Sequence, residues 1–451
     1  MPTSAGARLL VPALLTLLAA CERVEQMVDA RRELTPHEAY AASLESAGLV
    51  GTALGQDWLQ AAREALAAPQ SVLLPYREEG FLPAEDPAAV GLRVELRRGQ
   101  VLTVRTAFDA GDSARVFVDL FRLPDRPGDP VRPLVRVDSV AEGIVYEPYR
   151  DGAYLLRLQP ELLRGGRYRV ELTLGPVLSF PVDGLDGSSI GSGWGAPRDG
   201  GAREHRGVDI FADRGTPALA ASAAVVTRVE ETGRGGLVVW LRDERRSQNL
   251  YYAHLSEQLV TPGTIVEMGD TIGLIGNTGN ARTTPPHLHF GVYVRGIEGM
   301  RGAQDPIPYL VTPRRPLPAF PKGPERLGAW ARVQGEGAVL RAEPEEAGAM
   351  LQPLAPRTPV RLIAGSGGWW RVRLPDGRVG WVDASATESV DDALDETVLA
   401  TTSSVRVQPT EGSPVVQPLD AGSRVAVLGE FGGYLWVRGG DGRAGWLKPG
   451  D

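Results

Sequence analysis

Short apolar runs that alternate with polar residues at period two constrain this chain most. Leu92, Val94 and Leu96 alternate with Arg93, Glu95 and Arg97; Val116, Val118 and Leu120 repeat the pattern, as do Tyr168, Val170 and Leu172. Successive strand side chains point to opposite faces, so each run makes one apolar face and one wet face. Arg98-Gly99, Pro124-Asp125 and Gly165-Gly166 punctuate the runs as turns, which predicts a β-sandwich over residues 72–183. With 55 Gly and 36 Pro among 451 residues, turns are plentiful and long helices disfavoured. The expectation is a mainly β, multidomain chain.

The amino terminus departs from this pattern. Arg8 precedes an apolar run, Leu9 to Ala20, too short to span a membrane and suited to a secretory signal over residues 1–20. The run ends Leu18-Ala19-Ala20-Cys21, and Cys21 is the only cysteine. This resembles the bacterial lipobox, which implies lipidation of Cys21 and a membrane anchor. Glu22 is not the aspartate associated with inner-membrane retention, which tips the expectation slightly toward the outer membrane. Residues 21–71 read as helical: Thr35-Pro36-His37-Glu38 is a capping box, and Tyr40, Leu44, Trp58, Ala62 and Leu66 recur at helical spacing. A short hairpin or stalk is expected.

Histidine is scarce, and four of the five fall in three clusters. These are His205-Arg206-Gly207-Val208-Asp209, Tyr251-Tyr252-Ala253-His254-Leu255 and Pro285-Pro286-His287-Leu288-His289-Phe290. Metal-assisted hydrolysis calls for such residues: a catalytic zinc takes three His or carboxylate ligands and leaves a position open to water, whose pKa falls to about 7. If the last cluster is a strand, His287 and His289 share a face, so one can ligate while its neighbour reaches the water or substrate. Spacing alone does not say which. Each motif by itself is weak, His-x-x-x-Asp being most often a surface turn; their joint occurrence carries the reading.

Together the clusters resemble the lysostaphin/LytM-type zinc metallopeptidases over about residues 188–312, with Gly215-Thr216-Pro217 and Gly276-Asn277-Thr278-Gly279 adding to the match. The resemblance implies an antiparallel-β metallopeptidase domain, here residues 184–312. It also implies zinc held by His205, Asp209 and His289, with His254 and His287 handling the water proton and the developing oxyanion. Pro285 replaces a common glycine and Gly291 a common acidic residue, neither at a ligand position.

Residues 313–324 form a proline-rich linker, expected to be extended and semi-rigid, on which the next domain swings. Beyond it lies a repeat: Gly367-Gly368-Trp369-Trp370-Arg371-Val372 and Gly432-Gly433-Tyr434-Leu435-Trp436-Val437 start 65 residues apart, at 367 and 432. Asp376-Gly377 and Asp441-Gly442 then signal hairpins. The repeats resemble bacterial SH3-like barrels, over 325–386 and 395–451, which implies wall binding. Trp381 and Trp446 are expected in barrel cores, and Trp369, Trp370, Tyr434 and Trp436 are expected to show a face to a ligand.

The formal charge of −8 is spread along the chain, so no basic footprint points to nucleic acid. The resemblances imply a lipid-anchored periplasmic endopeptidase acting on peptidoglycan cross-links, with a divisome or amidase partner conceivable. The alternatives are a non-catalytic regulator that activates wall amidases, and a metallopeptidase of exported proteins.

Overall fold

The computed structural model describes residues 34–109, 114–124, 126, 131–138, 143–295, 302–312 and 315–449. The signal segment and Cys21 lie outside the described residues.

Helices α1 (Pro36–Ser46) and α2 (Ala53–Ala67) form a hairpin. The capping box is present: the Thr35 hydroxyl accepts the Glu38 amide at 3.0 Å, and the Glu38 carboxylate accepts the Thr35 amide at 2.8 Å. The hairpin is laid on the sandwich. Leu44 and Trp58 bury with Phe117, the Trp58 indole donates to the Pro160 carbonyl at 2.9 Å, and His37 stacks on Trp58 while bonding Gln159 at 2.7 Å.

The sandwich rests on β1 (Tyr76–Leu82), β2 (Val90–Leu96), β3 (Gln100–Asp109), β4 (Val116–Arg122), β5 (Gly152–Pro160) and β6 (Gly166–Pro176). In one sheet β5 lies between β2 and β4; in the other β6 lies between β1 and β3. β2 shows why: Val90, Leu92, Val94 and Leu96 are buried while Arg93 and Glu95 are exposed.

The central domain is an antiparallel sheet of β7 (Val208–Phe211), β8 (Ala224–Thr232), β9 (Gly236–Asp243), β10 (Gln248–Gln258) and β11 (His287–Val294), in the order β7-β11-β10-β9-β8. Val208, Ile210, Leu250, Tyr252, Leu288 and Phe290 fill its core. It docks on the sandwich through Arg246, which donates to Glu147 at 2.6 Å and to Asp243 at 3.1 Å. Gly99 is also required there: its φ is +90°, and a Cβ would stand 2.4 Å from the Tyr309 ring.

The repeats form two barrels, the first with β12 (Pro359–Ser366), β13 (Trp369–Arg373) and β14 (Val379–Asp383), the second with β15 (Arg424–Phe431), β16 (Tyr434–Arg438) and β17 (Ala444–Leu447). They share a register: Arg371 faces Trp381 in the first, as Trp436 faces Trp446 in the second.

Two expectations about the barrels are corrected. The first barrel does not swing: β12 pairs antiparallel with β1, Glu79 opposite Gly365 and Gly80 opposite Ala364. Behind that pairing Glu78, wholly buried, accepts from Tyr76 at 2.6 Å, Tyr168 at 2.5 Å and Arg371 at 3.1 Å. A carboxylate removed from water needs such partners, and here two domains supply them. The second correction concerns the aromatic rings. Trp370 is buried in the first barrel's core, while Tyr434 and Trp436 are buried with Trp446; Trp436 packs on Trp330 of the other barrel at 5.1 Å between centroids. Trp370 fills its own barrel, Trp436 packs where the two barrels meet, and Tyr434 is mostly buried with one edge on a cleft between them. Only Trp369 of the four is half-buried, against the sandwich core. Trp381 is buried as expected, but in the sandwich core.

Candidate active site

β7 and β11 bring two of the candidate ligands together. In their antiparallel register Asp209 stands opposite His289, and residues opposite one another project to the same side. Alternation along β11 sends Leu288 and Phe290 into the core and leaves His287 and His289 facing an open cleft of about 990 Å³. His205 arrives from a two-residue strand just before β7; its amide donates to the Ala196 carbonyl at 2.9 Å.

Three side chains then converge. His205 Nε2 lies 3.0 Å from Asp209 Oδ1 and 2.9 Å from His289 Nδ1, and His289 Nδ1 lies 2.9 Å from Asp209 Oδ1. His205 Nδ1 sits 2.9 Å from the Gly193 carbonyl oxygen, which can only accept, so Nδ1 carries the proton and Nε2 is a bare lone pair. A bare nitrogen, a second imidazole nitrogen and a carboxylate oxygen aimed at one point repel unless a cation lies between them. Tetrahedral ligands about 2.1 Å from zinc stand about 3.4 Å apart, so a slight outward relaxation admits the ion. The residues fit zinc.

Burial alone would raise the Asp209 carboxyl, but the His205 and His289 imidazoles beside it hold it well below the usual carboxylate range. Burial pushes the His289 imidazole down, against the pull of Asp209. Both directions keep the pair in the states that bind metal.

The other two histidines stand across the cleft, their ring centroids 4.9 Å apart. His254 Nδ1 lies 2.9 Å from the Thr278 carbonyl and His287 Nδ1 2.9 Å from the Pro285 carbonyl. Each ring is thus protonated at Nδ1, with Nε2 free. Burial first, then the nearby rings of His287 and His289, lower the His254 pKa to about 4, so it is neutral. His254 has a left-handed backbone, φ 65°, where the β9–β10 register slips. The bulge re-aims its side chain, and its amide is held by the Gly235 carbonyl at 2.7 Å.

All five residues singled out as metal or catalytic groups meet here. Arg198 is one that sequence reasoning missed: it donates to Asp209 Oδ2 at 2.7 Å and to Ser192 Oγ at 2.6 Å. Nothing in the spacing marks it. Every residue lining the cleft belongs to the central domain, so among the described residues neither sandwich nor helices cover it.

A profile of peptidase family M23 matches residues 203–301, and one of a bacterial SH3 domain matches residues 334–388. The L-Ala–D-Glu endopeptidase of Bacillus subtilis is 35% identical over 140 residues, 29% of this chain and 42% of the relative. The peptidoglycan DD-endopeptidase ShyC of Vibrio cholerae is 40% identical over 104 residues, 22% of this chain and 23% of the relative. An uncharacterized metalloprotease of Haemophilus influenzae is 41% identical over 101 residues, 22% of this chain and 21% of the relative. The chain thus spans less than half the length of these relatives. The solved catalytic domain of lysostaphin from Staphylococcus simulans is 35% identical, covering 26% of this chain and 89% of that one, with a TM-score of 0.24.

Proposed function

We propose that this chain, which carries a peptidase family M23 domain followed by a bacterial SH3 domain, is a zinc-dependent endopeptidase that hydrolyses peptide cross-links of peptidoglycan. The observation that carries the proposal is the convergence of His205, Asp209 and His289 beside the two free Nε2 atoms of His254 and His287. Zinc held by the first three would polarise the scissile carbonyl and acidify a water. His254, neutral and fixed by the Thr278 carbonyl, takes the water proton at Nε2. His287, fixed by the Pro285 carbonyl at Nδ1, steadies the oxyanion through Nε2 once that atom has taken up a proton. The complete ligand set favours this reading over a non-catalytic regulator of amidases, which has no use for it.

The Cys21 motif supports a lipid anchor and a periplasmic location, with the outer membrane favoured by Glu22. The barrels support wall targeting, through surfaces other than the buried Trp370 and Trp436. Mass spectrometry of cross-linked peptidoglycan incubated with the purified chain, with and without chelator, tests the activity. Chelator-sensitive conversion of dimers to monomers is expected and identifies the bond. No conversion by a chain with zinc bound would leave exported proteins or regulation as its role.

A further inference from the structure

Beside the metal ligands lies an aromatic shelf that neither metal binding nor proton transfer uses. Trp240 on β9 stands opposite Tyr251 on β10, and Tyr251 opposite Gly291 on β11. The rings of Trp240, Tyr251 and Tyr293 form one surface, with centroids 4.4 Å apart for Trp240–Tyr251 and 5.3 Å for Trp240–Tyr293. Tyr251 extends it to the edge of His289 at 5.8 Å. Alternation explains the placement, since the next residue, Tyr252, is wholly buried in the core. So does Gly291: a Cβ there would stand 2.8 Å from the Tyr293 ring, so the acidic residue common at this position would displace that ring. All three aromatics are half-buried on the cleft wall.

The charges around the shelf are unequal. Arg206 stands near the Tyr293 hydroxyl, Glu230 and Arg234 stand near that of Tyr251, and Arg228 lies over the Trp240 ring at 5.0 Å. Two other arginines of the cleft are paired, Arg198 with Asp209 at 2.7 Å and Arg203 with Asp199 at 2.5 Å. Of the acids lining the cleft, Asp199 and Asp209 are taken up in these pairs and Glu204 is not. Arg234 is exposed on the β8–β9 turn, with no ion-pair partner among the described residues. Its carbonyl accepts the Asn280 amide at 3.0 Å, which anchors the turn that presents it. A planar guanidinium on a fixed turn beside aromatic faces suits a carboxylate attached to an apolar stem.

We propose that the Trp240–Tyr251–Tyr293 shelf is a specificity subsite for a peptide with a free carboxylate next to the scissile bond. The rings take the stem and Arg234 takes the carboxylate. This rests on the endopeptidase reading above and makes it narrower: acidic stem peptides are favoured over neutral glycyl bridges.

Kinetics of the zinc-loaded full chain on two synthetic cross-linked peptides test it, the pair differing only in whether that carboxylate is free or amidated. The expected ratio of kcat/KM, free over amidated, is about tenfold or more for the native chain, the scale of one charge-assisted contact. Arg234→Gln brings the ratio close to one, and Arg234→Lys, which keeps the charge without the planar fork, retains part of it. Equal rates on both peptides with the native chain, or an unchanged ratio in Arg234→Gln, overturn the subsite while leaving the endopeptidase standing. Hydrolysis of neither peptide overturns the endopeptidase reading, and the subsite with it.

Discussion

Arg198 holds one oxygen of Asp209 while two histidines face the other: Nη2 donates to Oδ2 at 2.7 Å, and Oδ1 lies 3.0 Å from His205 and 2.9 Å from His289. The guanidinium therefore fixes which oxygen is offered to a metal. Ser192, which accepts from the same nitrogen at 2.6 Å, is paired with Asp209 across the strand edge. Partners of metal ligands typically contribute about 10–100-fold to metal affinity, and Arg198→Ala is expected to weaken zinc binding by that factor. Competition against a chromogenic chelator measures it. An unchanged zinc affinity would mean that the β7 backbone alone orients the carboxylate.

His254 is assigned to the proton rather than the metal. His254→Ala is expected to keep one zinc per chain while kcat falls by about 10²–10⁴-fold. Metal analysis and turnover on the same sample separate the two roles. Turnover within a few-fold of the native chain would remove His254 from the mechanism.

The Glu78–Arg371 pair joins two domains in a site closed to water, at 3.1 Å. Removing one partner strands a buried charge, and Arg371→Met is expected to cost about 3–5 kcal/mol in urea unfolding. The double change Arg371→Met with Glu78→Gln should recover much of that. Arg424 and Glu396, both exposed and 3.5 Å apart, form the control, where Arg424→Ala should cost about 0–1 kcal/mol. A loss at Arg371 no larger than at Arg424 would contradict the coupling.

Burial, then the charge of Arg157, lowers the His37 pKa to about 4. The unfolded chain, with histidine near 6.5, binds the proton more readily than the folded one. The contribution of neutral His37 is therefore complete above about pH 6.5 and is lost as the pH falls toward 4, up to roughly 3 kcal/mol in all. The urea midpoint followed across this range should fall with pH, and His37→Gln should flatten the fall. Equal slopes in both chains would place the acid sensitivity elsewhere.

What the sequence made legible follows from how rare or periodic a signal is. Four histidines in a histidine-poor chain marked all four imidazoles of the cleft, with Asp209 carried by the spacing to His205. Val90, Leu92, Val94 and Leu96 marked a strand face because only a pleat buries every second residue. Arg198 stayed hidden since arginine is common and its partner's outer oxygen leaves no trace in spacing. Trp369 and Trp370 show a different limit: adjacent strand residues face opposite ways, and only the neighbouring domain decides that Trp370 fills the barrel while Trp369 leans on the sandwich. Nor could local pattern announce that an edge at Glu79 would find Gly365.

That edge separates the continuity of the chain from the integrity of the molecule. The segment entering the first barrel is its covalent tie to the central domain, whereas its grip on the sandwich runs through β1, β12 and the buried Glu78. A protease that nicks residues 315–324 cuts the polypeptide once, and the two fragments stay together as one particle until denaturant parts them.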